Sequence, residues 1–159
     1  MSEALAQQRA FWQAACRAVP GLPATADYQV WHFGDSAQLA RELADLVLHG
    51  PKRATAGLLW DAEIDPTMTP VLGGYSLVTD RAGAPLLVIQ TTRVDILPYG
   101  EVDADFAAAE GEGDGSLAYW RNAHWAYFSR RCAALGRAPS EDMPVILERF
   151  ALIYPTGPS

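Results

Sequence analysis

Glycine and proline cut this chain into pieces, and the order of the pieces favours an α+β arrangement over a doubly wound sheet, the alternative. Residues 3–18 carry Leu5, Phe11, Trp12, Ala15 and Ala18 at helical spacing, and Pro20-Gly21-Leu22-Pro23 ends that run. A short extended piece, Tyr28 to Phe33, stops at Gly34, after which Asp35 or Ser36 can cap a second helix. Leu39, Leu43, Leu46 and Val47 share one face of it, Gly50 closes it, and Pro51 forbids continuation. Strand-like runs then follow at 54–60, 75–79 and 86–94, the last reaching towards Leu97, with residues 61–71 expected as loop and Asp80-Arg81-Ala82-Gly83 as a hairpin turn. A helical turn from Asp103 or Asp105, a helix over 116–136 stopped by Gly136, and a strand over 145–154 complete the order. Helices that do not alternate one-for-one with strands predict an α+β protein around a small, mostly antiparallel curved sheet or barrel.

Composition excludes several classes. The formal charge is −7, which argues against broad binding to duplex nucleic acid, although a local basic pocket remains compatible with it. No apolar stretch approaches the roughly 18–20 residues that span a bilayer, and the N-terminus lacks the pattern of a signal peptide. Cys16 and Cys132 have neither metal-ligand spacing nor a disulfide framework, which predicts free thiols in a reducing cytoplasm. Disorder is expected only at the first two residues and from Pro155 to Ser159.

Two segments carry the chemistry. Twelve side chains are cationic and only one is lysine, Lys52, in Gly50-Pro51-Lys52-Arg53-Ala54-Thr55. A lysine, unlike an arginine, can lose its proton when buried and act as a base. The second segment is Glu110-Gly111-Glu112-Gly113-Asp114-Gly115-Ser116. Its carboxylates can hold a hard divalent cation, Mg²⁺ or Mn²⁺, or can meet Lys52, or can favour the positive start of the next helix with Asp114 or Ser116 as N-cap. A calcium loop is excluded, because Arg121 stands where a bidentate Glu is required. On the helix that follows, Trp120, His124 and Phe128 lie on one stripe, so His124 reads as a bonded core histidine before a ligand or an acid/base. Arg121 and Trp125 share a neighbouring face. No nucleophile elbow, zinc spacing or phosphate-binding Gly-rich loop is present.

Gly50-x-Lys52-x-x-Thr55, taken with Phe106-Ala107-x-x-Glu110-Gly111-Glu112-Gly113-Asp114-x-Ser116-Leu117-x-x-Trp120-Arg121-x-x-His124-x-x-x-Phe128, resembles the ASCH family in its larger, DUF984-like branch. The resemblance implies a PUA-like β-barrel of about five to six strands with flanking helices, residues 28–155 forming that domain and residues 1–27 an N-terminal helical extension. It also implies single-stranded RNA or a modified nucleoside as partner. Larger members point to a ribonuclease with a lysine in its cleft. A small branch points instead to an N4-acetylcytidine amidohydrolase, matching Lys52, Thr55 and Glu110 as catalytic residues, with a neutral Lys52 activating the Thr55 hydroxyl. Arg53, Glu112, Asp114, Ser116, Arg121 and His124 are then the candidate substrate-binding residues. A binding module without chemistry is the third expectation.

Overall fold

The structure, a computed structural model, describes residues 2–156. Met1 and residues 157–159, where disorder is expected, lie outside them. Ser2 lies within them, and its Oγ accepts from the Leu5 N–H to cap the first helix. The elements run α1 (Glu3–Ala18), β1 (Tyr28–Trp31), α2 (Ala37–His49), β2 (Ala54–Leu58), α3 (Leu59–Ile64), β3 (Tyr75–Thr79), β4 (Pro85–Pro98), α4 (Ala104–Glu110), α5 (Leu117–Leu135) and β5 (Pro144–Tyr154), with short 3₁₀ turns at Pro66–Met68 and Tyr99–Glu101. The α+β class with flanking helices is as expected. The strands form one mixed five-stranded sheet in the order β1-β3-β4-β5-β2, which does not close into a barrel. β1 is parallel to β3, whereas β3–β4 and β2–β5 are antiparallel.

The chain divides into two compact units, and β4 and β5 each contribute residues to both. The first comprises residues up to 50, 73–92 and those from 150. Its helices bury Trp12 and Ala15 of α1 beside Leu77 and Val88, and Ala44 and Val47 of α2 beside Val78, Leu87 and Ile89. The second comprises residues 51–72 and 93–149 and contains every candidate site residue. Its core packs Ala54 and Leu58 of β2, Phe106 and Ala107 of α4, Trp120, Phe128 and Cys132 of α5, and Val145 and Leu147 of β5. Alternation along the strands places Ala54, Ala56 and Leu58 against this core, opposite Arg149, Leu147 and Val145.

The expected loop over 61–71 is partly helical. Leu59 and Trp60 leave the strand and open α3, which buries Asp61 so that it takes Arg131 of α5 in a two-pronged pair at 2.7 and 2.9 Å. Cys132 is buried and Cys16 half-buried, both free. No helix among the described residues is long and apolar enough to cross a membrane.

Candidate functional site

Lys52 is completely buried. Its position is set by main-chain contacts between the start of β2 and the end of α4: the Arg53 N–H donates to the Ala109 carbonyl at 2.7 Å, and Gly111 turns the chain with a left-handed φ of 67°. A Cβ on Gly111 would lie 2.9 Å from Pro51 Cγ and 3.0 Å from the Lys52 nitrogen, so only glycine lets the two segments come this close. The Lys52 ammonium donates to Ala54 O at 2.8 Å, Glu110 Oε1 at 2.9 Å and Glu112 Oε2 at 2.9 Å, with Glu110 O further away at 3.4 Å. Three donors thus meet three close acceptors, and the C-terminal end of α4 adds a favourable dipole.

Glu110 is the centre of the cluster, 1 % exposed. Its Oε2 accepts from the Trp120 indole N–H at 2.5 Å and lies 3.1 Å from His124 Nε2. His124 stacks on Trp120 at 4.2 Å, and its Nδ1 lies 2.9 Å from the Trp120 carbonyl oxygen. A carbonyl only accepts, so Nδ1 carries a proton. Nε2 faces an ionised carboxylate, so it too is best served by a proton, and the ring is an imidazolium.

The electrostatics agree. Burial alone would push Lys52 down, but the charges of Glu110 and Glu112 and hydrogen bonds to both outweigh it and hold Lys52 above its ordinary value. Burial would raise Glu110, yet Lys52 and His124 hold it well below the usual carboxylate range. His124 is raised, its burial offset by the charge and hydrogen bond of Glu110. Glu112 is raised by burial and by its hydrogen bond to Glu110, against the pull of Lys52. Of the two carboxyls, Glu112 is thus the one held above its ordinary value and Glu110 the one held below it. The neutral Lys52 that amide hydrolysis requires is not the form this site holds.

The other expected residues separate from this cluster. Thr55 is half-buried on β2 and, by alternation, faces away from the Ala54 side, paired across the sheet with Glu148. The Arg53 guanidinium folds back on the Lys52 carbonyl at 2.6 Å. Asp114 accepts from the Ser116 N–H at 2.9 Å, hydrogen bonds from the Ser116 side chain and then from its N–H lower the Asp114 pKa, and Ser116 Oγ caps α5 through the Tyr119 N–H. Ser116 is therefore the N-cap that the spacing predicts, and Asp114 holds the turn before it. Arg121 grips Glu141 through one Nη atom at 2.7 and 2.9 Å. Sequence reasoning missed Trp120 as a donor to Glu110 and Glu141 as the partner of Arg121. The i, i+4 stripe holding Trp120 and His124 was the available signal for the first.

Glu110, Glu112 and His124 each offer a ligand atom within 4.8 Å of the others. They fit an ammonium better than a metal. Lys52 already lies 2.9 Å from both carboxylates, and His124 turns a protonated nitrogen towards Glu110. A divalent ion would have to expel a buried ammonium whose acceptors are already matched.

The ASCH domain model matches residues 29–154. The chain belongs to the ASCH family. A crystal structure of an ASCH domain from Lactobacillus crispatus JV V101 is similar to this ASCH protein at 35 % identity and a TM-score of 0.85, covering 98 % of this chain and 97 % of that one. A DUF984 protein from Enterococcus faecalis V583 is similar at 30 % identity and a TM-score of 0.79, covering 94 % and 89 %. No curated protein matches the chain.

The cluster makes the stability of this ASCH domain depend on pH. Glu110 is depressed, so its contribution is complete above the ordinary value of 4.5 and is lost as pH falls through its folded value. His124 is raised, so its contribution is complete below 6.5 and is lost as pH rises through its folded value. Glu112 is raised, so its contribution begins to fall as pH rises above 4.5. The difference in melting temperature between the native chain and His124→Asn should be largest near pH ~5 and shrink towards pH ~9. A difference that grows with pH would contradict an imidazolium at this position.

Proposed function

We propose that this ASCH protein is an RNA-directed hydrolase acting on single-stranded RNA, with Glu112 as the group that exchanges a proton with substrate. The observation that carries the reading is the position of Glu112. It is the most exposed member of the cluster, at 16 %, and its carboxyl is raised from the ordinary value while Lys52 and Glu110 are sealed beneath it. A carboxyl shifted upwards at the rim of a charged, buried network has the character of a general acid–base group. In this reading Glu112, once ionised, takes the proton of the attacking hydroxyl and returns it to the leaving oxygen. Lys52, Glu110 and His124 set its pKa and hold it in place. Lys52 is a positioning residue here, since it has no exposed surface to present to phosphate.

RNA as the substrate class is supported by membership of a family whose PUA-like relatives bind RNA or modified nucleosides. Single-stranded RNA suits the charge of −7 better than duplex, because bases can be held by stacking where phosphates are not widely neutralised.

Incubation with a labelled single-stranded RNA in EDTA tests this. The native chain should shorten the RNA, and Glu112→Gln should lose about 10²–10⁴ of the rate. RNA bound but left intact would make the protein a binding module. Release of cytidine from N4-acetylcytidine, abolished by Thr55→Val, would establish the amidohydrolase instead. Cleavage only when Mg²⁺ or Mn²⁺ is supplied would overturn the metal-free mechanism.

A further inference from the structure

Another concave site lies in the same unit, outside the buried cluster. Tyr99, Arg121, Asn122, Trp125 and Glu141 line a groove of about 250 Å³. We propose that this groove is a guanine-reading subsite, in which one base stacks on Trp125 and presents its Watson–Crick edge to the Glu141 carboxylate. The proposal deepens the RNA-directed reading above and rests on it.

The size is that of a site for one base, below the roughly 300–1,000 Å³ of pockets that enclose drug-sized ligands. Trp125 is 37 % exposed, whereas Trp120 and Phe128 of the same helix are buried. An open indole face beside charged groups is the platform on which unstacked bases are held. Glu141 supplies the choice of base. Both its oxygens contact the same Arg121 nitrogen, at 2.7 and 2.9 Å, so each keeps lone pairs directed elsewhere. Guanine carries two adjacent donors, N1–H and N2–H, which a carboxylate accepts together. Adenine and cytosine each set a ring acceptor beside their single amino group, and that acceptor would face the carboxylate unfavourably. The exposed Asn122 brings an amide donor for the guanine O6.

The carboxylate is placed by the main chain. The Gly100 N–H donates to the Glu141 carbonyl at 2.8 Å, and a Cβ on Gly100 would come within 2.7 Å of Glu141 Oε2. Arg121 is steadied in turn: its guanidinium lies 5.4 Å from the Tyr99 ring centre, and the Tyr99 hydroxyl donates to the Arg121 carbonyl at 2.6 Å. Tyr99 also stacks on Trp120 at 5.7 Å, the residue whose indole N–H holds Glu110. The groove and the proton-handling cluster thus share one aromatic stack.

Calorimetric titration of the full chain with GMP, IMP and AMP tests the assignment. GMP should bind about tenfold or more tightly than AMP, with IMP, which lacks the 2-amino group, between them. Glu141→Gln and Gly100→Ala should each weaken GMP about tenfold and leave AMP unchanged. Gly100→Ala removes no ligand atom and meets chiefly the end of a flexible side chain, so it separates displacement of the carboxylate from loss of the fold. Equal affinity for GMP and AMP, or GMP binding indifferent to Glu141→Gln, would overturn the subsite. RNA cleavage without any guanine preference ends the subsite and leaves the hydrolase standing. Guanine preference with RNA left uncut ends the hydrolase and leaves the subsite.

Discussion

Replacing Lys52 with alanine should destabilise the protein by about 3–5 kcal/mol, because it breaks a buried ion pair and leaves Glu110, Glu112 and the Ala54 carbonyl without the donor they share. For a chain of this length that is a fall of roughly 6–20 °C in melting temperature. The size of the effect follows from burial: Lys52 and Glu110 have almost no contact with water, so solvent cannot replace the lost partner. The penalty belongs to the buried acceptors left without a donor and not to the lysine alone. Lys52→Met combined with Glu110→Gln removes the ammonium and its paired carboxylate together and keeps an acceptor for the Trp120 N–H. The double variant should therefore recover half or more of the stability lost by Lys52→Met, as a positive coupling in a double-mutant cycle. Additive losses would mean that the two groups are not the interacting pair that their 2.9 Å separation describes.

Gly111→Ala is the second large effect, expected at about 2–4 kcal/mol in the urea unfolding midpoint with an unchanged slope. Two costs combine. The residue would be held at a φ of 67°, and its new Cβ would meet Pro51 and the Lys52 nitrogen, main-chain neighbours that cannot swing aside. Gly115→Ala is the internal comparison. Its φ is 77°, but nothing lies within 4 Å of the added carbon, so only backbone strain of about 1 kcal/mol is expected. Equal losses at the two positions would show that the close approach of the glycine loop to Lys52 contributes nothing. Gly111→Ala should also reduce activity beyond its effect on folding, since it separates Glu110 and Glu112 from the ammonium they share.

Much of the secondary structure was legible because its boundaries are chemical. Ser36 and Ser116 accept the N–H bonds expected of N-caps, and Gly50 and Gly136 close α2 and α5. Only Leu59 and Trp60 were misread, because a short apolar run suits a strand or a buried helix equally, and the helix they open places Asp61 against Arg131, 70 residues away. Barrel closure was likewise beyond the pattern. Strand propensity says nothing about which strands become edges, and here β1 and β2 take both edges of the sheet.

The site was half legible. A solitary lysine and an acid–glycine run mark two segments, and the alternating glycines explain themselves once Gly111, Gly113 and Gly115 are all found with positive φ. The protonation of Lys52 was not readable, because burial and its acidic partners act in opposite directions. Only the 2.9 Å contacts to Glu110 and Glu112 decide which prevails. Arg121 illustrates the opposite failure. The resemblance marked it as a substrate-binding candidate, but its conformation is set by Glu141, which nothing in the local pattern singles out.

In the proposed mechanism the Lys52–Glu110 pair holds an acid–base group in position for RNA hydrolysis. The most direct measurement is RNA cleavage in EDTA by the native chain and by the Lys52→Met, Glu110→Gln double variant, each first shown to be folded by a cooperative melt. The account predicts that the native chain shortens single-stranded RNA and that the folded double variant does so at least a hundredfold more slowly, within the range that acid–base catalysis supplies (about 10²–10⁴). A folded double variant that cuts RNA at the native rate would contradict it.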